Sequence, residues 1–226
     1  MQNYRCSKLT EDTDTDRDTD NIFIFGAGGH SKVVLDALKL QRIYEVVGVF
    51  SGIEPENSKN EFLGIKILGT QEDIKKHMHK TTKGIIAFGH IESRAMLYRK
   101  LRSIGFDLVN VVHPKTIIAC TVHMGRGNFF AGGVIVNPYA TIGDNCIINT
   151  GSIIEHDCVL SDNIHMAPRS TLCGNVKVGS NTFIGAGATV IQGVTIGENV
   201  VVGAGAVVLA DVPDNKTVVG VPANQL

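Results

Sequence analysis

The sequence predicts a small parallel α/β sheet followed by a β-helix built from six-residue units, and three observations carry that prediction. The stretch "NIFIFGAGGHSKVVLDALKL" at 21–40 reads as a strand, a glycine turn and a helix. From Ile118 to Val208, every sixth residue is apolar without exception, sixteen positions in all. Most of the 25 glycines fall in the second half of the 226 residues.

Residues 1–20 end in "TEDTDTDRDTD", which has no apolar residue and cannot bury enough surface to offset its ordering entropy. A disordered tail is expected there.

Residues 21–110 are expected to form a Rossmann-like domain. After the first strand, the helix should turn Val33, Val34, Ala37, Leu38 and Leu40 inward. "YEVVGVF" and "KGIIAFGH" read as strands, "ESRAMLYRKLRS" as an amphipathic helix ended by Gly105, and "DLVNVV" as a returning strand. Strands alternating with helices imply a parallel sheet covered by helices. "GAGGH", Gly26 to His30, is not a dinucleotide fingerprint, because Ser31 stands where its last glycine belongs and the second strand ends in Phe50-Ser51-Gly52 with no acid. Such a turn still offers backbone N–H groups to a phosphate or a base.

Residues 111–226 hold the repeat. At the 43% apolar share of this chain, sixteen apolar hits in register would arise by chance about once in a million. The run includes Ile148, Ile154, Leu160, Met166, Leu172 and Val178. A period of six fits neither helix nor meander. It fits a short flat face and a turn, three of which close a triangular coil of about 18 residues, stacked at the strand spacing of about 4.8 Å. A residue 18 positions on should return to the same azimuth one rung away, which places Gly174 beside His156.

Composition narrows the function. A net charge of −1 gives no reason to expect nucleic acid or an anionic membrane as a partner. No apolar run is long enough to span a bilayer, and the N-terminus shows no secretory h-region. Five cysteines without C-x-x-C spacing suit a reducing cytoplasm, with Cys120, Cys146, Cys158 and Cys173 as packing residues. No metal site is expected. His123, His156 and His165 lack the spacing of a zinc-dependent hexapeptide hydratase.

From "NIFIFGAGGHSKVV" through "EHDC", "GNVKVG" and a terminal "GVPA", the chain resembles a bacterial family of hexapeptide acyltransferases over about residues 21–224. The family comprises sialic acid O-acetyltransferases and N-acetyltransferases of nucleotide-linked 4-amino sugars. The resemblance implies a left-handed β-helix, acetyl-CoA as co-substrate, a homotrimer with sites between subunits, and a sugar acceptor. It implies His156 as general base, Asp157 as the carboxylate that orients it and Gly174 N–H as oxyanion donor. Only a corner of the coil would let an adjacent carboxylate reach the ring, since neighbours along a strand diverge.

His165, nine residues from His156, should lie half a coil away, so the two would meet only across two subunits. By resemblance His165 touches the acetyl group or the acceptor. Gly185, Ala186, Gly203 and Ala204 would hold the CoA arm through main-chain groups. Gly26, Gly28, Gly29, His30 and Asn149 would bind the acceptor. The chain departs from the pattern at Ser51-Gly52, where an Asp pair is usual, at Gly89-His90, where Gly-Asn is commoner, and at Asn224, where Lys is usual. N-acetylation of a nucleotide-linked 4-amino sugar therefore stands only narrowly ahead of O-acetylation of a nonulosonic acid. A non-catalytic scaffold is a third class.

Overall fold

The computed structural model describes residues 2–3, 19–52 and 60–226. The first element is a short strand β1 (Gln2–Asn3), paired antiparallel with His123–Met124. The remainder of the expected tail, Met1 and 4–18, lies outside the described residues.

The first half runs β2 (Asp20–Phe25), α1 (Gly29–Gln41), β3 (Tyr44–Phe50), β4 (Glu61–Phe62), β5 (Ile65–Gly69), α2 (Ile74–His77), β6 (Lys83–Ile86), α3 (Ile91–Ser103) and β7 (Asp107–Leu108). The sheet order is β4-β5-β3-β2-β6-β7, parallel except for the β4–β5 pair. Phe23, Phe25, Phe50 and Phe106 fill one side of it, with ring centroids 5.3–5.5 Å apart in three edge or stacked pairs. On α1 the buried residues are Val34, Leu35, Ala37 and Leu38. Val33 and Leu40, expected inside, are 40% and 51% exposed, because the buried stripe is centred on Leu35 and Leu38.

"DLVNVV" is not one strand. Asp107–Leu108 closes the first sheet, whereas β8 (Val111–Val112) begins the β-helix by pairing with Phe129–Phe130. The chain changes sheets within three residues, so the two halves are joined without a linker.

From there the strands are two residues long and repeat every six. They form three parallel sheets of stacked rungs, and partners differ by 18 residues, as in Phe129↔Ile147↔His165↔Phe183↔Val201. The last coil is shorter by two, since Val201 pairs with Thr217. Fifteen of the sixteen periodic aliphatic and aromatic side chains, Met124 to Val208, are at most 2% exposed and form the axial core; Ile118 at the end is only partly buried.

The corners follow a second period of six. Every sixth residue from Gly127 to Gly205 has a positive φ, and the residues there are Gly, Asn, Tyr, Asp and Arg. Asn tolerates this left-handed conformation because its short polar side chain bonds locally. Asn145, Asn163 and Asn181 also bond one another along one corner, Nδ2 to Oδ1, at 2.8 and 3.0 Å.

The outward column Val111–Phe129–Ile147 is apolar, and α1 lies over it. These residues share one buried cluster with Ile22, Ile24, Val34, Leu35 and Leu38. The two halves thus share a buried cluster, which fixes the glycine turn relative to the coils.

Candidate active site

His156 and Asp157 occupy a corner between the strands Ile153–Ile154 and Val159–Leu160. Asp157 is the left-handed residue of that corner, with φ +61°. This conformation turns its carboxylate back onto the preceding ring, and Oδ2 lies 2.8 Å from His156 Nδ1. A carboxylate oxygen only accepts, so Nδ1 carries the proton and Nε2 presents a lone pair. Both side chains are more than half exposed. No bond joins Glu155, on the other side, to the ring among the described residues.

Gly174 lies one rung away, as the 18-residue period predicts: Asn175 N–H donates to His156 O at 2.9 Å. A Cβ on Gly174 would sit 2.6 Å from His156 Cε1 and 2.7 Å from Nε2. The imidazole therefore rests on the space that the missing side chain leaves. Cys173 precedes Gly174 and is half-buried.

The first residue of each turn directs its N–H out of the rung-to-rung ladder. At the corner next to α3, aspartates one rung on fill these donors: Arg126 N and Asp144 N bond Asp144 and Asp162 at 2.8 and 2.7 Å, and Glu198 N bonds Asp214 at 2.7 Å. At the other two corners, the N–H groups of Gly174, Ala186 and Ala204 donate no hydrogen bond among the described residues. They are competent to bind a ligand oxygen. Gly185 and Gly203 have a different role. A Cβ on Gly185 would meet Ala204 N at 2.5 Å, and one on Gly203 would meet Val219 Cγ1 at 2.7 Å, so both glycines are demanded by coil stacking.

Asn149 lies at another corner, where its Oδ1 accepts from Thr150 N at 2.8 Å and closes its own turn. The turn it stabilises explains its presence without a ligand.

His165 differs most from expectation. It lies on the rung between Ile147 and Phe183, as the register requires, but it does not face open solvent. The loop after β6 covers it: Nδ1 lies 3.2 Å from Gly89 O, and its ring packs edge-on against Phe183. Nε2 is buried without a partner among the described residues. Burial, with a smaller contribution from Arg94, lowers its pKa. Within one chain His165 and His156 are on different parts of the coil.

At the glycine turn, Gly26 has φ +127°, and its Cβ would lie 3.0 Å from Ala87 O, so it is required by the backbone. Gly28 and Gly29 have open space above them. A cavity of about 470 Å³ opens there, lined by Gly26, Ala27, Gly28, Ser51, Gln71 and Phe88 among others. His30, expected to bind the acceptor beside this turn, points away from the cavity. Its ring packs edge-on against Phe129 at 5.2 Å, and its Nε2 is buried. Burial first, then the nearby Arg94 and His165, lower its pKa from 6.5 to about 4. The ring position follows from the helix: His30 is in the first turn of α1, on the side that faces the coils.

Sequence reasoning missed Arg94, which is 2% exposed and carries no ion pair among the described residues. Its signal was faint, since an arginine on an amphipathic helix usually faces water.

Residues 21–101 match the family described as PglD N-terminal domain, and residues 175–210 match the bacterial transferase hexapeptide (six repeats). The chain is 37% identical to a histidine-to-alanine mutant of GDP-perosamine N-acetyltransferase from Caulobacter crescentus, solved with CoA and GDP-perosamine. That match covers 91% of this chain and 96% of the other, with a TM-score of 0.86. It is 28% identical to the acetyltransferase domain of PglB from Neisseria gonorrhoeae FA1090, solved with acetyl coenzyme A, over 92% and 100% of the two chains, with a TM-score of 0.84. A GDP-perosamine N-acetyltransferase from Escherichia coli O157:H7 is 27% identical over 170 residues, 72% of this chain and 74% of the other.

Proposed function

The chain belongs to the nucleotide-4-amino-sugar N-acetyltransferase family of hexapeptide-repeat acyltransferases, and on that premise we propose that it moves an acetyl group from acetyl-CoA to the 4-amino group of a nucleotide-linked sugar. The observation that carries this reading is the stacking of the Asp157-oriented His156 imidazole over Gly174. It supports a proton acceptor and an unused amide donor acting on one bound thioester.

The acceptor amine nitrogen attacks the thioester carbonyl carbon, and His156 Nε2 takes the proton that the nitrogen loses. Negative charge gathers on the carbonyl oxygen, which Gly174 N–H stabilises; one such donor is worth about 10²–10³ in rate. The C–S bond then breaks, and the CoA sulfur leaves as thiolate or takes the proton back from His156. Asp157 stabilises the imidazolium and holds its tautomer.

The buried thiols do not suit a covalent route. Burial pushes Cys146 up to about 12 and Cys158 up to about 11, so neither supplies thiolate near neutral pH. Their burial supports direct transfer within one ternary complex, with Cys173 left to be tested by substitution.

The amides of Ala186 and Ala204 hold the pantetheine arm. The open glycine turn with Ser51, Gln71 and Phe88 takes the nucleotide. Among the described residues its lining has uncharged polar groups and aromatic rings, which suits a base recognised by stacking and amide bonds. The site is completed by a second copy of the chain, because one chain leaves His156 exposed and keeps it apart from His165 and the glycine turn.

A free-thiol assay with acetyl-CoA tests the reading. GDP- and UDP-linked 4-amino sugars should release CoA, and the GDP-linked form is the first to try because of the perosamine relatives. Release with free nonulosonic acids alone would replace N- by O-acetylation. Release with no acceptor of either class would overturn the proposal.

A further inference from the structure

Four consecutive carbonyls, from Ile86 to Gly89, cross from β6 to α3 between the glycine turn and the coils, and each is held by a side chain from elsewhere. Arg94 Nη1 bonds Ile86 O and, at 3.5 Å, Phe88 O. Ser31 Oγ donates to Ala87 O at 2.8 Å. His165 Nδ1 donates to Gly89 O at 3.2 Å. Arg94 also reaches the coils: Nε donates to Asn145 O at 3.1 Å and Nη2 to Gly127 O at 3.0 Å. A fully buried guanidinium satisfied only by main-chain carbonyls is costly to bury, and burial lowers its pKa to about 10. Its planar fork is the feature that lets it reach carbonyls from both halves at once, which a lysine cannot do.

We infer that Arg94 is a positioning residue: its fork fixes the strap 86–89 against the coils, and through Gly89 it fixes the His165 imidazole. The strap leaves little slack. Gly89 has room for no more than a Cβ 3.0 Å from His165 Cε1, and Gly26 packs under Ala87 O. Because a carbonyl only accepts, the bond to Gly89 keeps the proton on His165 Nδ1 and leaves Nε2, buried without a partner among the described residues, as an unfilled acceptor. Phe88 of the same strap lines the glycine-turn cavity, and Gly89 lines the cavity of about 790 Å³ on its other side. One buried residue thus sets the geometry of both.

That this geometry serves acyl transfer rests on the function proposed above; the positioning itself does not. The test uses the full chain with ¹⁵N-labelled histidine. His165 in the unaltered protein should give the Nδ1–H tautomer. In Arg94→Lys and Arg94→Met, both checked for a cooperative melt, that signal should give way to a tautomer mixture. In Tyr98→Phe, which removes the 2.7 Å bond from α3 to Asp144 at the same interface but not the strap, the signal should persist although stability falls. Turnover of Arg94→Lys should drop about tenfold, with KM for acetyl-CoA within about threefold. Should Arg94→Lys fail to fold, Ser31→Ala frees the strap at Ala87 and should produce the same tautomer change. A wild-type His165 tautomer in the folded Arg94 variants overturns the inference, and unchanged turnover beside an altered tautomer overturns its part in acyl transfer. Absence of any acyl transfer by the unaltered protein would sink the function instead, and the tautomer comparison would still decide the role of Arg94.

Discussion

The Cβ that Gly174 lacks would stand 2.7 Å from Nε2 of His156. That relationship between residues 18 apart makes a turn glycine part of the proposed acyl-transfer site. Gly174 does not have a positive φ, so alanine suits its backbone, and the atoms in the way belong to an exposed ring that moves aside when its bond to Asp157 yields. Gly174→Ala should therefore melt within a few degrees of wild type while kcat falls about 10–100-fold, because the base is pushed off its amide. Thermal melts beside steady-state rates check both halves. Unchanged kcat would show that the stacking is incidental.

Asp157 combines two demands, a φ of +61° and a carboxylate on Nδ1. Asparagine meets the first and fails the second. Asp157→Asn should fold normally and lose up to about 10⁴ in kcat through the wrong tautomer or an unsupported imidazolium. Asp157→Ala should lose activity similarly and add about 1 kcal/mol of backbone strain. Urea melts of the pair separate the two effects, and equal stability of both variants would refute the conformational part.

Cys173 is the half-buried thiol beside Gly174. The proposed direct attack gives it no covalent step. Cys173→Ser should keep kcat within about threefold. A loss of 10²-fold or more, with an acetylated enzyme trapped by mass spectrometry, would instead establish a two-step route.

His30 makes stability depend on pH. Its folded pKa, about 4, is depressed below the ordinary 6.5, so protons bind the unfolded chain more tightly. Its contribution is complete above about pH 6.5 and is lost as pH falls toward 4, in total roughly 3 kcal/mol. Carboxylates titrate in the same range, so the measurement is a difference. Urea unfolding of wild type and His30→Gln between pH 7.5 and 4.5 should show the wild type losing stability faster on acidification. Parallel curves would mean that His30 is not buried as a neutral ring.

The β-helix was legible because its period is redundant. Residues such as Ile148, Ile154 and Leu160 repeat at a spacing that no other element uses, and the 18-residue register followed from it. The placing of Gly174 beside His156 came from the same arithmetic. The second period was equally present in the letters, as Gly, Asn or Asp at 145, 151, 157 and 163, and it would have placed Asp157 in the left-handed region and so on the ring. What the sequence could not reveal was which outward face the first half covers. His30, Arg94 and His165 all owe their environments to that docking, made by contacts across 33 to 99 residues of chain. The same docking split "DLVNVV" between two sheets. A local pattern carries no information about such pairings, whereas a repeat carries it eighteen residues at a time.

The role of base proposed for His156 decides the mechanism. Acetyl-CoA, a GDP-linked 4-amino sugar and a thiol reagent, with wild type and His156→Ala at equal concentration, test it most directly. We expect acceptor-dependent thiol release that falls about 10²–10⁴-fold in the variant, while its melting temperature is unchanged. A folded His156→Ala protein releasing CoA at near the wild-type rate would contradict the account.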